Sequence, residues 1–171
     1  MKIVLLGYMG SGKTTIGKLL AKLLSYEFID LDEYIEEKEG MKISDVFQSK
    51  GEIYFRIQEG NYLKELLNSN SNVVLSLGGG TPCYGNNMKN IINSAAKSFY
   101  LKASLNTLVE RLQVHRDKRP MIAHLSNDEL NEFIGKHLFE RVSYYQQANW
   151  KITIDGKSAN QVVDELKMRL H

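Results

Sequence analysis

The sequence predicts an α/β protein: a parallel sheet with helices on both faces, formed as a single domain of 171 residues. Two observations carry that prediction. Apolar runs of strand length at residues 3–6, 28–31, 73–77, 98–101 and 152–154 alternate with stretches of helical spacing, and the first run leads directly into a glycine-rich loop and an amphipathic stretch. That loop, Gly7-Tyr8-Met9-Gly10-Ser11-Gly12-Lys13-Thr14, has the spacing of a phosphate cradle. Its glycines let consecutive N–H groups turn inward, and the helix that follows adds its positive end. Gly10, Ser11, Gly12, Lys13, Thr14 and Thr15 are therefore expected around a nucleotide triphosphate. Lys13 has the reach for the β- and γ-phosphates, and the Thr14 hydroxyl suits Mg2+.

The remaining elements follow in order. Ile16, Leu19, Leu20, Leu23 and Leu24 repeat at helical spacing and are expected to form one buried face. Ser126 with Glu129 and Ser158 with Gln161 read as capping boxes opening two later helices, the second with Val162, Leu166 and Leu170 on one side. Ligands of such sheets bind beyond the carboxyl ends of the strands. That rule selects the loop at 7–14, Asp30 and Asp32 after the second run, and Gly78-Gly79-Gly80 after the third.

Composition narrows the function. Twenty-two basic and twenty acidic residues leave a net charge of +2 with no basic run, so neither nucleic acid nor a membrane is expected as a partner. A single cysteine, Cys83, rules out an internal disulfide and suits a cytoplasmic protein. No apolar stretch approaches membrane-spanning length, and the four histidines lack metal-ligand spacing. The third run does not end in an acidic residue, and no Asn-Lys-x-Asp motif occurs, which weighs against motors and guanine-nucleotide switches.

Asp30-Leu31-Asp32 offers two carboxylates that an extended chain would aim to the same side. One can serve the metal through water while the other orients or deprotonates an acceptor hydroxyl, and Asp32 could also cap the helix running through Ile35. Arg56, three residues before Glu59, and Arg141 are candidates for a forked grip on a small carboxylate, or else ordinary surface arginines. The glycine triplet permits close backbone approach to a ligand, or serves as a turn. Arg119, in the charged stretch His115-Arg116-Asp117-Lys118-Arg119-Pro120, is positioned to fold over a transferring phosphoryl group from a mobile cover.

Together these motifs resemble the shikimate kinase family from about Leu6 to Ala148. The match includes the loop with its Tyr8-Met9 pair, Asp30-Leu31-Asp32, Gly51-Glu52, Phe55-Arg56 with Glu59, Leu77 to Pro82, Arg119-Pro120, and Glu140-Arg141 with Tyr145. The resemblance implies a P-loop NTPase fold like the nucleoside monophosphate kinases, with strand order 2-3-1-4-5, a substrate-binding segment at about 32–62 and a lid at about 113–126. It implies ATP and shikimate as substrates, Mg2+ as cofactor and a monomer. It also implies roles: Lys13, Asp32 and Arg119 in catalysis, Thr14 and, through water, Asp30 at the metal, and Asp32, Arg56, Gly78, Gly79, Gly80 and Arg141 at the acceptor. The adenine contact is left between Arg111 and Gln113. A gluconate-type kinase and a non-catalytic nucleotide-binding protein are the alternatives.

Overall fold

The computed structural model describes residues 1–119 and 121–170. Five strands, β1 (Lys2–Leu6), β2 (Glu27–Asp30), β3 (Val73–Ser76), β4 (Lys97–Lys102) and β5 (Trp150–Thr153), pair in parallel in the order β2-β3-β1-β4-β5. All five expected strands form, in the expected order. The central ones are continuous apolar runs because a parallel sheet is covered on both faces: Ile3 to Leu6 and Val73 to Leu75 are almost wholly buried.

Helix α1 (Lys13–Leu24) departs from its expected face. Ile16 and Leu20 are buried, but Leu19 and Leu23 are 37% and 51% exposed, and the buried stripe runs instead through Gly17 and Ala21. The reason is proximity. A Cβ on Gly17 would stand 2.5 Å from the Phe28 ring, so the helix lies too close to the sheet for a larger residue there.

Helices α2 (Leu31–Glu39) and α3 (Ile43–Asn68) follow β2 in the chain and pack together; α3 breaks at Gly51, where φ is 85°, and resumes to carry Arg56 and Glu59 before the chain enters β3. Phe47 and Phe55 meet across that break with ring centroids 4.7 Å apart and planes tilted by 35°. A short helix, α4 (Asn87–Asn93), precedes β4. Helix α5 (Leu105–Val114) packs on α6 (Asn127–Tyr145), whose first turn is closed by the Ser126–Glu129 capping box. Helix α7 (Ala159–Leu170) buries Val162, Leu166 and Leu170, and Ser158 and Gln161 exchange hydrogen bonds at its start as expected. No helix among the described residues is long and apolar enough to cross a membrane. Pro120 and His171 lie outside the described residues.

Asp155, just after β5, ties that turn to α5 by accepting from the Ser104 N–H at 2.9 Å and the Thr107 hydroxyl at 2.5 Å. The Thr107 bond leads the causes that hold its carboxyl down to about 2. Because the folded value is depressed, this stabilisation is complete above the ordinary carboxylate pKa of about 4 and is lost as pH falls toward the folded value. The carboxylate faces solvent, so Asp155→Ala is expected to cost only about 1 kcal/mol at neutral pH. The gap from wild type in denaturant melts should narrow below about pH 4; a gap of unchanged size at about pH 3 contradicts the assignment.

Candidate active site

The phosphate loop and the carboxylates at the end of β2, Asp30 and Asp32, line one cleft of about 640 Å3, which Arg119 also borders. Gly12 takes a left-handed conformation (φ 88°) at the start of α1, which a side chain would strain. Lys13, 9% exposed, donates through Nζ to the carbonyls of Gly7 (2.8 Å) and Tyr8 (3.0 Å). Burial lowers its pKa to about 8 against the pull of Asp32 and Asp30. The ammonium therefore remains charged at neutral pH, although more weakly held than an exposed lysine.

The two aspartates divide their work differently from the extended-chain reading. The strand ends at Asp30 rather than running through Leu31, and Asp30, not Asp32, caps α2: its Oδ1 accepts from the Asp32 N–H at 3.1 Å. Its Oδ2 accepts from the Thr14 hydroxyl at 3.2 Å. Asp32 sits in the first helical turn with its carboxylate toward Gly78 and is governed by burial and charge. Burial, then Asp30 and Glu59, raise its pKa to about 6, with Lys13 and Arg56 opposing. A group poised there is ionised at pH 7 yet basic enough to take a proton.

The glycine triplet is explained by space rather than by turn geometry, since none of the three has a positive φ. A Cβ on Gly78 would meet the Asp32 carboxylate at 3.1 Å, one on Gly79 would meet Arg141 Nη1 at 3.2 Å, and one on Gly80 would meet both Arg56 and Arg141 within 3.4 Å. Side chains from β2–α2, α3 and α6 thus converge on one bare stretch of backbone. Tyr145, fully buried, fixes that stretch by donating to the Gly79 carbonyl at 2.5 Å. Gly79→Ala should raise the acceptor KM about tenfold by pushing Arg141 aside, with the thermal midpoint little changed. An acceptor KM within twofold of wild type would show that the guanidinium has room to yield.

Arg56 is held at Nη1 and on its flat face, while its buried Nε has no hydrogen-bond partner. Nη1 donates to Glu59 at 2.9 Å, and the guanidinium lies 3.7 Å from the Tyr84 ring centroid. The Glu59 carboxylate, 1% exposed, also accepts from Thr81 at 2.7 Å, and Asn87 holds the Thr81 carbonyl at 2.9 Å. The spacing of Arg56 and Glu59 was legible; Thr81 and Asn87 carry no signal in the sequence that would have joined them to this group. Arg141 lies over the Tyr8 ring, 5.7 Å from its centroid, and forms no ion pair among the described residues. Cys83 is partly buried nearby, and burial pushes its thiol up to about 11, which makes it unreactive.

Arg111, one of the two candidates for the adenine contact, donates to the Gly10 carbonyl at 3.1 Å. It separates the main cleft from a smaller cavity of about 230 Å3 formed with Thr15, Ile154 and Lys157. Gln113 is exposed and borders neither.

A family model for shikimate kinase matches residues 9–171. The chain belongs to the shikimate kinase family. Among its members, the shikimate kinase of Flavobacterium psychrophilum is 48% identical over 165 residues, 96% of each protein. Of solved structures, the shikimate kinase of Bacteroides thetaiotaomicron superposes with a TM-score of 0.91 at 37% identity, covering 99% of this chain and 98% of that one. The Acinetobacter baumannii shikimate kinase, solved in complex with shikimate, gives 0.87 at 31% identity over 99% and 92%. The P-loop NTPase fold and kinase activity expected for a shikimate kinase therefore hold across nearly the whole chain.

Proposed function

We propose that the protein transfers the γ-phosphoryl group of ATP to the 3-hydroxyl of shikimate, giving ADP and shikimate 3-phosphate. The observation that carries this reading is the shared cleft: the phosphate loop and Asp32 face each other across it, with two guanidiniums at the end beyond Gly79. Arg56 pairs with Glu59 at 2.9 Å and lies 3.8 Å from the carboxylate of the more exposed Glu52, whereas Arg141 forms no ion pair among the described residues, which leaves its charge for the carboxylate of an acceptor. Asp32 receives the proton of the attacking hydroxyl as the acceptor oxygen bonds to phosphorus and the bond to the ADP oxygen breaks. Lys13 and Arg119 stabilise charge on the transferring group, and closure of residues 113–126 keeps water from competing.

The Thr14 hydroxyl and the Asp30 carboxylate form a hard oxygen pair that fits Mg2+, with Asp30 acting through water. The ion, when bound, draws charge from the phosphate oxygens. The base of the nucleotide runs past Arg111 toward the smaller cavity. The single domain, with its acceptor-binding segment at 32–62, supplies every group named, which supports action as a monomer; the proposed compartment is the cytoplasm.

An ADP-release assay with shikimate, quinate and gluconate tests the acceptor. Turnover should be strong with shikimate and weak with the other two, and equal turnover with all three would remove the acceptor assignment. The pH profile tests the roles: kcat/KM should rise through about 6 as Asp32 ionises and fall through about 8 as Lys13 loses its proton. A profile flat between about pH 5 and 9 contradicts both roles.

A further inference from the structure

Tyr8, buried behind the cleft, touches groups from both of its ends. Its carbonyl accepts from Lys13, while its ring, 1% exposed, lies beneath the guanidinium of Arg141. The Tyr8 hydroxyl stands 3.0 Å from Nδ1 of His137, one helical turn before Arg141 on α6. The two rings meet edge to face at 5.6 Å, and Phe133, another turn back, closes on the imidazole at 5.2 Å. Arg56 has Glu59 to hold it, but Arg141 has no such carboxylate among the described residues, and a long side chain without one samples many rotamers. The Tyr8 ring is one of the surfaces that limit them, with Tyr145 and the backbone at Gly79 and Gly80, and the hydroxyl's bond to His137 fixes that ring relative to the helix bearing the arginine.

We propose that Tyr8 and His137 are positioning residues that set Arg141 for the acceptor, so that a contact made by the phosphate loop determines acceptor affinity. The inference rests on the reading of Arg141 as a carboxylate-binding group. Burial supports the pairing: it pushes the Tyr8 phenol up to about 12, and burial with Arg141 nearby holds His137 below its ordinary value. A neutral phenol beside a neutral imidazole has one proton to donate and one lone pair to receive it.

Steady-state kinetics with shikimate and ATP varied separately test this in Tyr8→Phe, His137→Leu, His137→Asn, the Tyr8→Phe/His137→Leu double variant and Arg141→Ala. Tyr8→Phe and His137→Leu should each raise the ratio of shikimate KM to ATP KM about fivefold, the value of one hydrogen bond. The double variant should do no more than either single one, because both remove the same bond. His137→Asn places Oδ1 where Nδ1 stood and should bring the ratio back to within twofold of wild type. Tyr8→Phe loses only the hydroxyl and keeps the packing, so the proposal remains testable if His137→Leu fails to fold. An unchanged ratio in Tyr8→Phe, additive effects in the double variant, or no recovery with asparagine overturns the proposal while Arg141→Ala still raises the acceptor KM. If Arg141→Ala leaves that KM unchanged, the carboxylate-binding reading itself falls, and the proposal with it.

Discussion

Asp32→Asn is expected to lower kcat about a thousandfold and leave the ATP dissociation constant within threefold of wild type. The amide fills the same space beside Gly78 but cannot take a proton from the acceptor hydroxyl. Nucleotide affinity is preserved because the loop and the Thr14–Asp30 pair are untouched, and Asp30 keeps its pull on the Lys13 ammonium after that of Asp32 is lost. The acid limb of the pH profile near 6 should disappear in the same variant, since it belongs to this carboxylate. Rapid-quench measurement of product with calorimetric titration of ATP reads both quantities. A kcat within tenfold of wild type would take the base role from Asp32, and an equal loss of ATP affinity would place it at the nucleotide instead.

Lys13→Ala should damage both steps, lowering kcat about a thousandfold and weakening ATP about thirtyfold. The ammonium is the charged group closest to the loop's own carbonyls, and its removal takes a charge-assisted partner from the phosphates. A second effect follows from its neighbours. Lys13 is one of the two charges that oppose the upward shift of Asp32, so its loss should move the acid limb of the residual activity above about 6. The same assays check it, and an acid limb left in place would mean that the two groups do not communicate across the cleft. The contrast between the variants is itself diagnostic: loss of kcat alone is expected for Asp32→Asn, and loss of kcat and ATP affinity together for Lys13→Ala.

The nature of each element was largely legible because it rests on local pattern. Strands buried on both faces read as apolar runs, and the serine caps of α6 and α7 satisfy N–H groups only three residues away. The misreadings have separate causes. Leu19 and Leu23 looked like core because leucine carries a strong apolar signal, while Gly17 and Ala21, which carry almost none, form the true contact stripe. Asp30 and Asp32 read as lying on one extended chain, with Asp32 the possible cap, yet the helix begins between them: Asp30 is the cap, and the Asp32 carboxylate turns toward Gly78.

Residues close in the chain are enough to specify the phosphate loop, the strand and helix pattern, and the charged groups available for chemistry. Folding is needed to bring Asp32, Arg141 and Arg56 against the bare backbone of Gly78, Gly79 and Gly80, and Tyr8 against His137. Those contacts join segments far apart along the chain, and which side chains meet there is set by how closely the helices pack on the sheet, a quantity that no local pattern encodes.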